Sequence, residues 1–194
     1  MEDEQILIQN ILAGNPDLFR NIIERYQRLA SHIIFRMVSN EQDREELCHE
    51  VFIKVYQNLS GFQFKAKLST WIGKIAYNLA INYLRKEKIQ LYQDLETPEH
   101  SNEVLDFEEN LSSEMATPDR ISEQHDWANR IEKLINDLPE HYKSILTMYH
   151  IDELSYKEIS EITDLPEGTV KNYLFRARKL LKGKIVARYQ GELL

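Results

Sequence analysis

Asn78 and Asn82 stand four residues apart, so any helix that holds them puts both amides on one face. Each amide pairs a donor with an acceptor, the arrangement that grips the edge of a base. Around them run Lys65, Lys67, Lys74, Arg85 and Lys86, with no acid between Phe64 and Lys86. Rings are interleaved with these bases: Phe62, Phe64, Trp71, Tyr77 and Tyr83. Cations neutralise phosphates, and rings stack on unpaired bases for about 1–3 kcal/mol each, so the set suits single-stranded or opened nucleic acid. Trp71 and Tyr83 also fall on the apolar stripe of their segment, which makes them core candidates as well. A second basic run, Gly168 to Gly191, holds seven bases and no acid. Within it Lys171 and Asn172 carry donors that read base edges, while Arg176, Lys179 and Lys182 are placed to neutralise phosphates.

Other chemistry finds little support. His32, His49, His100, His125, His141 and His150 show no metal-ligand spacing, and Cys48-His49-Glu50 are consecutive residues that diverge around a helix. With one cysteine in the chain, neither an internal disulfide nor a cysteine-rich zinc site can form. There is no glycine loop to cradle a phosphate. No catalytic residue, metal or cofactor is expected.

The elements that must position the two basic sets all read as helices, with apolar residues at three and four spacing and no convincing period of two. The first covers about 2–13 and stops at Gly14-Asn15-Pro16. The second carries Phe19, Ile22, Ile23, Tyr26, Leu29, Ile33 and Ile34. The third is expected to take Asp43 as N-cap and to show a broad apolar face of Leu47, Val51, Phe52, Val55, Tyr56 and Leu59. The fourth begins near Ser69-Thr70 and holds the two asparagines. Further on come a helix of about 122–137, another of about 140–150 that carries Tyr142, Ile145, Leu146 and Tyr149, and a final pair. In that pair Ser155 and Glu158 have capping-box spacing, Thr163-Asp164-Leu165-Pro166 makes a turn, and a basic helix opens near Glu167. Val170, Leu174, Ala177 and Leu181 form its core stripe, leaving Thr169, Lys171, Asn172, Phe175, Arg176 and Lys179 outside it. Helix, tight turn and basic helix together make a helix-turn-helix, whose second helix enters the major groove.

The 194 residues carry a formal charge of −8, which at first argues against nucleic acid. Resolved along the chain, the deficit lies entirely in residues 88–125, where ten acids face Lys88 and Arg120. Residues 1–87 and 126–194 are each neutral. The acidic stretch is also rich in Ser, Asn, Thr and Pro and offers little apolar surface to offset ordering entropy, which marks a flexible linker. The expected architecture is therefore all-α: two small helical domains, 1–87 and 126–194, joined by an acidic tether. No run approaches the ~20 apolar residues of a membrane span and the opening residues lack a basic signal region, so a cytoplasmic protein with no membrane insertion of its own is expected.

These residues carry a family resemblance. Asp43-Arg-Glu-Glu-Leu-Cys-His-Glu-Val-Phe-Ile-Lys-Val-Tyr56 and Thr70-Trp71-Ile-Gly-Lys-Ile-Ala-Tyr-Asn-Leu-Ala-Ile-Asn-Tyr-Leu-Arg85 resemble region 2 of the extracytoplasmic-function (ECF) sigma factors of bacterial RNA polymerase. Leu138-Pro139-Glu140, Leu154-Ser-Tyr-Lys-Glu-Ile159, Gly168-Thr-Val-Lys171 and Phe175-Arg-Ala-Arg178 resemble region 4 of the same family. Both regions stand in the right order around a variable linker.

The resemblance implies a non-enzymatic initiation factor that binds core polymerase at the β′ clamp and β flap. It implies polymerase contacts for Asp43, Glu46, His49, Glu50 and Lys54, with His49 replacing a usual glutamine. It implies recognition and opening of the −10 element by Phe64, Lys65, Lys67, Trp71, Lys74, Tyr77, Asn78, Asn82, Arg85 and Lys86. For the −35 element it implies Thr169, Lys171, Asn172, Phe175, Arg176 and Lys179, with Tyr173 standing where a basic residue is frequent. Asp164 replaces a common turn glycine, which Asp tolerates because it enters the left-handed region readily. The acidic linker would thread toward the polymerase cleft as a nucleic-acid mimic, and an anti-sigma factor would hold the protein inactive. The alternative is an autonomous helix-turn-helix regulator that uses residues 126–194 on duplex DNA and the first domain to dimerise.

Overall fold

The apolar periodicity builds helices throughout. The computed structural model describes residues 2–94 and 123–189; most of the acidic stretch, 95–122, lies outside the described residues. Eight α-helices and two 3-10 turns are present among them: α1 (Glu2–Leu12), a 3-10 turn at Pro16–Leu18, α2 (Phe19–Met37), α3 (Glu41–Asn58), a 3-10 turn at Leu59–Gly61, α4 (Leu68–Asp94), α5 (Glu123–Asn136), α6 (Glu140–His150), α7 (Tyr156–Thr163) and α8 (Glu167–Tyr189). None is long and apolar enough to cross a membrane.

α2 organises the first half. Its buried stripe of Ile22, Tyr26, Leu29, Ala30, Ile33, Ile34 and Met37 packs against both α3 and α4. Ile22, Ile33 and Ile34 are essentially fully enclosed, each contributing about 1.5–3 kcal/mol by removing apolar surface from water. α1 turns back onto the rest at Gly14, whose φ of 108° only glycine adopts without strain. Ile8 and Ile11 anchor it, and the Tyr26 hydroxyl bonds to the Glu4 carboxylate.

Three expectations change here. The N-cap of α3 is Asn40, whose side-chain oxygen accepts from the amides of Gln42 and Asp43, so the helix begins two residues before Asp43. Asp43 lies inside the first turn and accepts a 2.6 Å hydrogen bond from the Tyr83 hydroxyl of α4. The face of α3 is narrow, with only Leu47, Val51 and Val55 buried on the helix; Tyr56 is exposed and edges against Phe19 at 5.0 Å. Finally, the apolar positions Tyr142, Ile145, Leu146 and Tyr149 do not bound what α6 buries. Lys143, Ser144, Ile145, Leu146, Thr147 and Met148 are all buried, because α6 is enclosed by α2 on one side and by α7 and α8 on the others.

That third change reflects the main feature of the fold. The two helical halves share one continuous apolar core, in which α2 packs on α6 and α4 packs on α7. Ile162 of α7 seats over Gly73 of α4, where a Cβ on Gly73 would stand 2.9 Å from the Ile162 Cδ1. A side chain on residue 73 would therefore make the end of Ile162 shift. Around the seat, His32 and Asp152 hydrogen-bond at 2.6 Å, and Arg36 donates to Asn136 at 2.5 Å and pairs with Glu132 at 3.3 Å.

Candidate nucleic-acid interface

Near the start of α4 the chain builds an aromatic ladder. Phe64 occupies the left-handed region at φ 56°, an unusual conformation for a bulky side chain, and its ring meets that of Phe62 at 4.7 Å. Phe62 in turn meets Trp71 at 5.0 Å. Trp71 forms one wall of a groove of about 460 Å³ between α3 and α4, within the size range of small-molecule sites. Ile75 and Leu79 give it apolar lining, and Asn58, Asn78, Asn82 and Lys54 supply amides and an ammonium. A slot that mixes apolar and amide lining, with a ring at one end, suits an unstacked base better than a phosphate.

The structure thus brings Trp71, Asn78 and Asn82 together as expected from their spacing. Phe64, Lys65, Lys67, Arg85 and Lys86 are exposed, and Lys74 is half-exposed. Tyr77 departs from the expectation. It is only 5% exposed, its hydroxyl lies 3.4 Å from the His141 Nδ1 of α6, and burial, with a smaller contribution from Tyr173, raises its pKa to about 12. In this arrangement it is packing, not a platform for DNA. Burial likewise lowers the His141 pKa, slightly offset by Glu140. Sequence reasoning missed Asn58, because its neighbourhood with Asn78 exists only once α3 lies against α4.

The outer face of α3 presents Glu46, His49 and Glu50 at helical spacing, with Lys54 paired to Glu50 at 3.4 Å. Ile53, 55% exposed, stands in the same ridge and went unnoticed among the charges. Asp43 is largely spent on Tyr83, and Lys54 serves the groove as well as the ridge. Cys48 beside them is half-buried; burial pushes its thiol pKa up, so it carries little thiolate.

The helix-turn-helix forms as its sequence dictates. Ser155 and Glu158 make a complete capping box, and Asp164 sits at φ 57° as the C-cap of α7. The hydroxyls of Ser160 and Thr163 donate to the carbonyls of Leu165 and Ile159 and fix the turn. Val170, Leu174 and Ala177 are buried, with Leu181 partly so. Lys171, Asn172, Phe175, Arg176 and Lys179 face outward, and Thr169 is half-buried. Phe175 is 66% exposed, a large apolar surface with no cover in the described residues. Tyr173 turns inward and meets Tyr142 edge-on at 5.4 Å, so the residue replacing a usual base serves packing against α6. Arg178 is likewise occupied, bonding His150 at 3.1 Å and lying over Tyr149.

Residues 22–89 match the model for Sigma-70 region 2, and residues 128–181 match Sigma-70, region 4. The chain is 32% identical over 178 residues to the ECF RNA polymerase sigma factor SigW of Bacillus subtilis, covering 92% of this chain and 94% of that protein. It belongs to the ECF sigma factors. An ECF RNA polymerase sigma-E factor of Haemophilus influenzae is 31% identical over 192 residues, with 94% of this chain and 95% of that one covered. The fold is similar to that of the sigma factor RpoE from Bartonella quintana, solved with the anti-sigma factor NepR: TM-score 0.63, 18% identity, 85% of this chain and 94% of that chain. In this sigma factor the base-sized groove belongs to region 2 and the outward-facing basic helix to region 4.

Proposed function

We propose that this sigma factor lends promoter specificity to core RNA polymerase in the cytoplasm and does no covalent chemistry of its own. The outer ridge of α3, Glu46, His49, Glu50 and Ile53, docks on the polymerase. Asn58, Asn78 and Asn82 read one base of the −10 element, extruded from the non-template strand into the groove against Trp71. Phe64, Lys65, Lys67, Lys74, Arg85 and Lys86 hold the strand around it. Lys171, Asn172 and Arg176 read the −35 duplex from α8, with Thr169 and Lys179 on the backbone and Phe175 against a thymine methyl or sugar. An anti-sigma factor is the expected inhibitor.

The observation that carries this reading is the pairing of an amide-rimmed, ring-walled groove with a separate duplex-reading helix in one chain. Run-off transcription with core polymerase over a genomic fragment library tests it. The wild-type protein should start discrete transcripts that share two upstream elements. Replacing Asn78 and Asn82 by Ala should cut initiation about fivefold or more, since a lost base-reading pair costs about 1–3 kcal/mol, while binding to core polymerase persists. Unchanged transcripts from the double variant would refute the groove assignment. Tight operator binding by the free protein, with no polymerase-dependent transcript, would favour the autonomous regulator.

A further inference from the structure

Lys171 and Arg178 stand seven residues apart on α8, two turns along, so they lie on one face about 10 Å from each other. Each cation meets one ring of a stacked pair. The Lys171 ammonium lies over the Tyr156 ring, 5.4 Å from its centroid, and the Arg178 guanidinium lies over Tyr149 at 5.2 Å. Tyr149 and Tyr156 stack on one another 14° from parallel, with centroids 5.0 Å apart.

The backbone fixes where these rings stand. Tyr149 is the last residue but one of α6, and Tyr156 is the first residue of α7, directly after the Ser155 cap. Both are half-buried against the core. At the Tyr149 end the cation is tied down: Arg178 donates from Nε to the His150 Nε2 at 3.1 Å and sets a terminal nitrogen 3.0 Å from the same atom. His150 itself edges against Tyr149 at 5.0 Å.

At the Tyr156 end the cation keeps its donors. Lys171 is exposed and meets no carboxylate among the described residues. An anion would consume the N–H groups of the ammonium, whereas a ring face attracts the charge and leaves those groups to point at a base. Lysine alone is a poor reader of sequence, because a point charge on a flexible four-carbon stem sweeps widely and adds affinity with little discrimination. A ring beneath it narrows that sweep.

We propose that Tyr156, backed by Tyr149 and Arg178, is a positioning residue that sets specificity: its ring holds the Lys171 ammonium at one place on the −35 duplex, so base discrimination by Lys171 depends on a side chain that reads no base. What Lys171 reads rests on its assignment to the −35 element; where the ring holds it does not.

Nuclear magnetic resonance on the isotopically labelled full chain tests the contact alone. The ring current of Tyr156 should place the Lys171 ε-methylene protons upfield of those of the other lysines. Tyr156→Phe should leave them there, and Tyr156→Leu or Tyr156→Gln should return them to the common position. Unshifted Lys171 protons in the wild type would overturn the placement. Holoenzyme then tests the reading, in run-off transcription from a template pool whose −35 window is randomised upstream of one start site mapped from the genomic fragments, with the transcribed templates sequenced. Lys171→Ala should lose base preference at one or two adjacent positions. The two ringless variants, each checked for native helicity by circular dichroism, should lower preference at those same positions about two- to fivefold, the bias that an exposed cation and ring exert on a side chain. Preference at the other positions should hold, Tyr156→Phe should match wild type, and a ringless change added to Lys171→Ala should do nothing further. Full preference in a folded ringless variant overturns the positioning role while Lys171 keeps its assignment. A uniform loss at every position, or a loss in Tyr156→Phe, overturns it as well, since Tyr156 would then be touching the DNA backbone through its own hydroxyl. Unchanged preference in Lys171→Ala would refute the assignment of Lys171 to the −35 element, and the proposal with it.

Discussion

Glu158 shows how one side chain serves two structures. Burial alone would raise its pKa, but the Lys67 ammonium and the Ser155 hydroxyl and amide outweigh that and hold it at about 2, against an ordinary 4.5. A depressed carboxylate stabilises the folded state fully above its unfolded pKa and loses that contribution as pH falls toward the folded one. The relevant window therefore runs from about pH 5 down to about pH 2. Asp152 works in the opposite sense, because burial raises its pKa more than His32 lowers it. The melting temperature of wild type should exceed that of Glu158→Gln at pH 7, and the gap should shrink as pH falls through this window. A gap independent of pH would mean that the ion pair and cap contribute nothing beyond what a neutral amide supplies.

At the scale of elements, α3 illustrates how capping is decided. The sequence offers two acceptors, Asn40 and Asp43, and a helix period alone fits either start. Asn40 wins because its oxygen reaches two free amides, while Asp43 is recruited by Tyr83 of a neighbouring helix. Asn40→Ala should therefore cost about 1 kcal/mol of stability in denaturant unfolding, the usual loss of an N-cap. Asp43→Ala should loosen α3 from α4 instead, and it should raise amide exchange near Tyr83 without fraying the start of α3. Equal fraying in both variants would argue against this division of labour. The helix-turn-helix needed no such arbitration: its box, left-handed Asp164 and core stripe are local features and all were legible in the sequence.

For the whole molecule, the decisive feature is that α6 is a helix of the shared core. Lys143 is the clearest cost of that position. Burial, aided by Arg36 and Arg44, lowers its pKa despite Glu140 and Asp137. Lys143→Met keeps the volume and stem while removing the cost of burying an ammonium whose partners, the Asn136 carbonyl at 3.5 Å and Glu140 at 4.0 Å, lie at the limit of contact. Thermal unfolding should show an equal or higher melting temperature for this variant. A drop of several degrees in melting temperature would show instead that Lys143 is a net support.

The sequence by itself determined the eight helices, the helix-turn-helix with its cap and outward basic face, and the placement of Asn78 and Asn82 on one side of α4. Each follows from periodicity, capping chemistry and residue spacing within one segment, and the family motifs follow with them. Tertiary structure alone decided that Asn58 joins the asparagine groove, that Tyr77 and Tyr173 are packing residues, and that Lys67 and Lys74 already have carboxylate partners. Those facts depend on residues from 20 to 91 positions apart meeting across helix faces. The charge of −8 illustrates the same division. Its position between the halves was readable from the chain, but the acids that meet Lys67 and Lys74 are Glu158 and Asp164, two residues of a neutral stretch that are brought there only because α7 lies on α4.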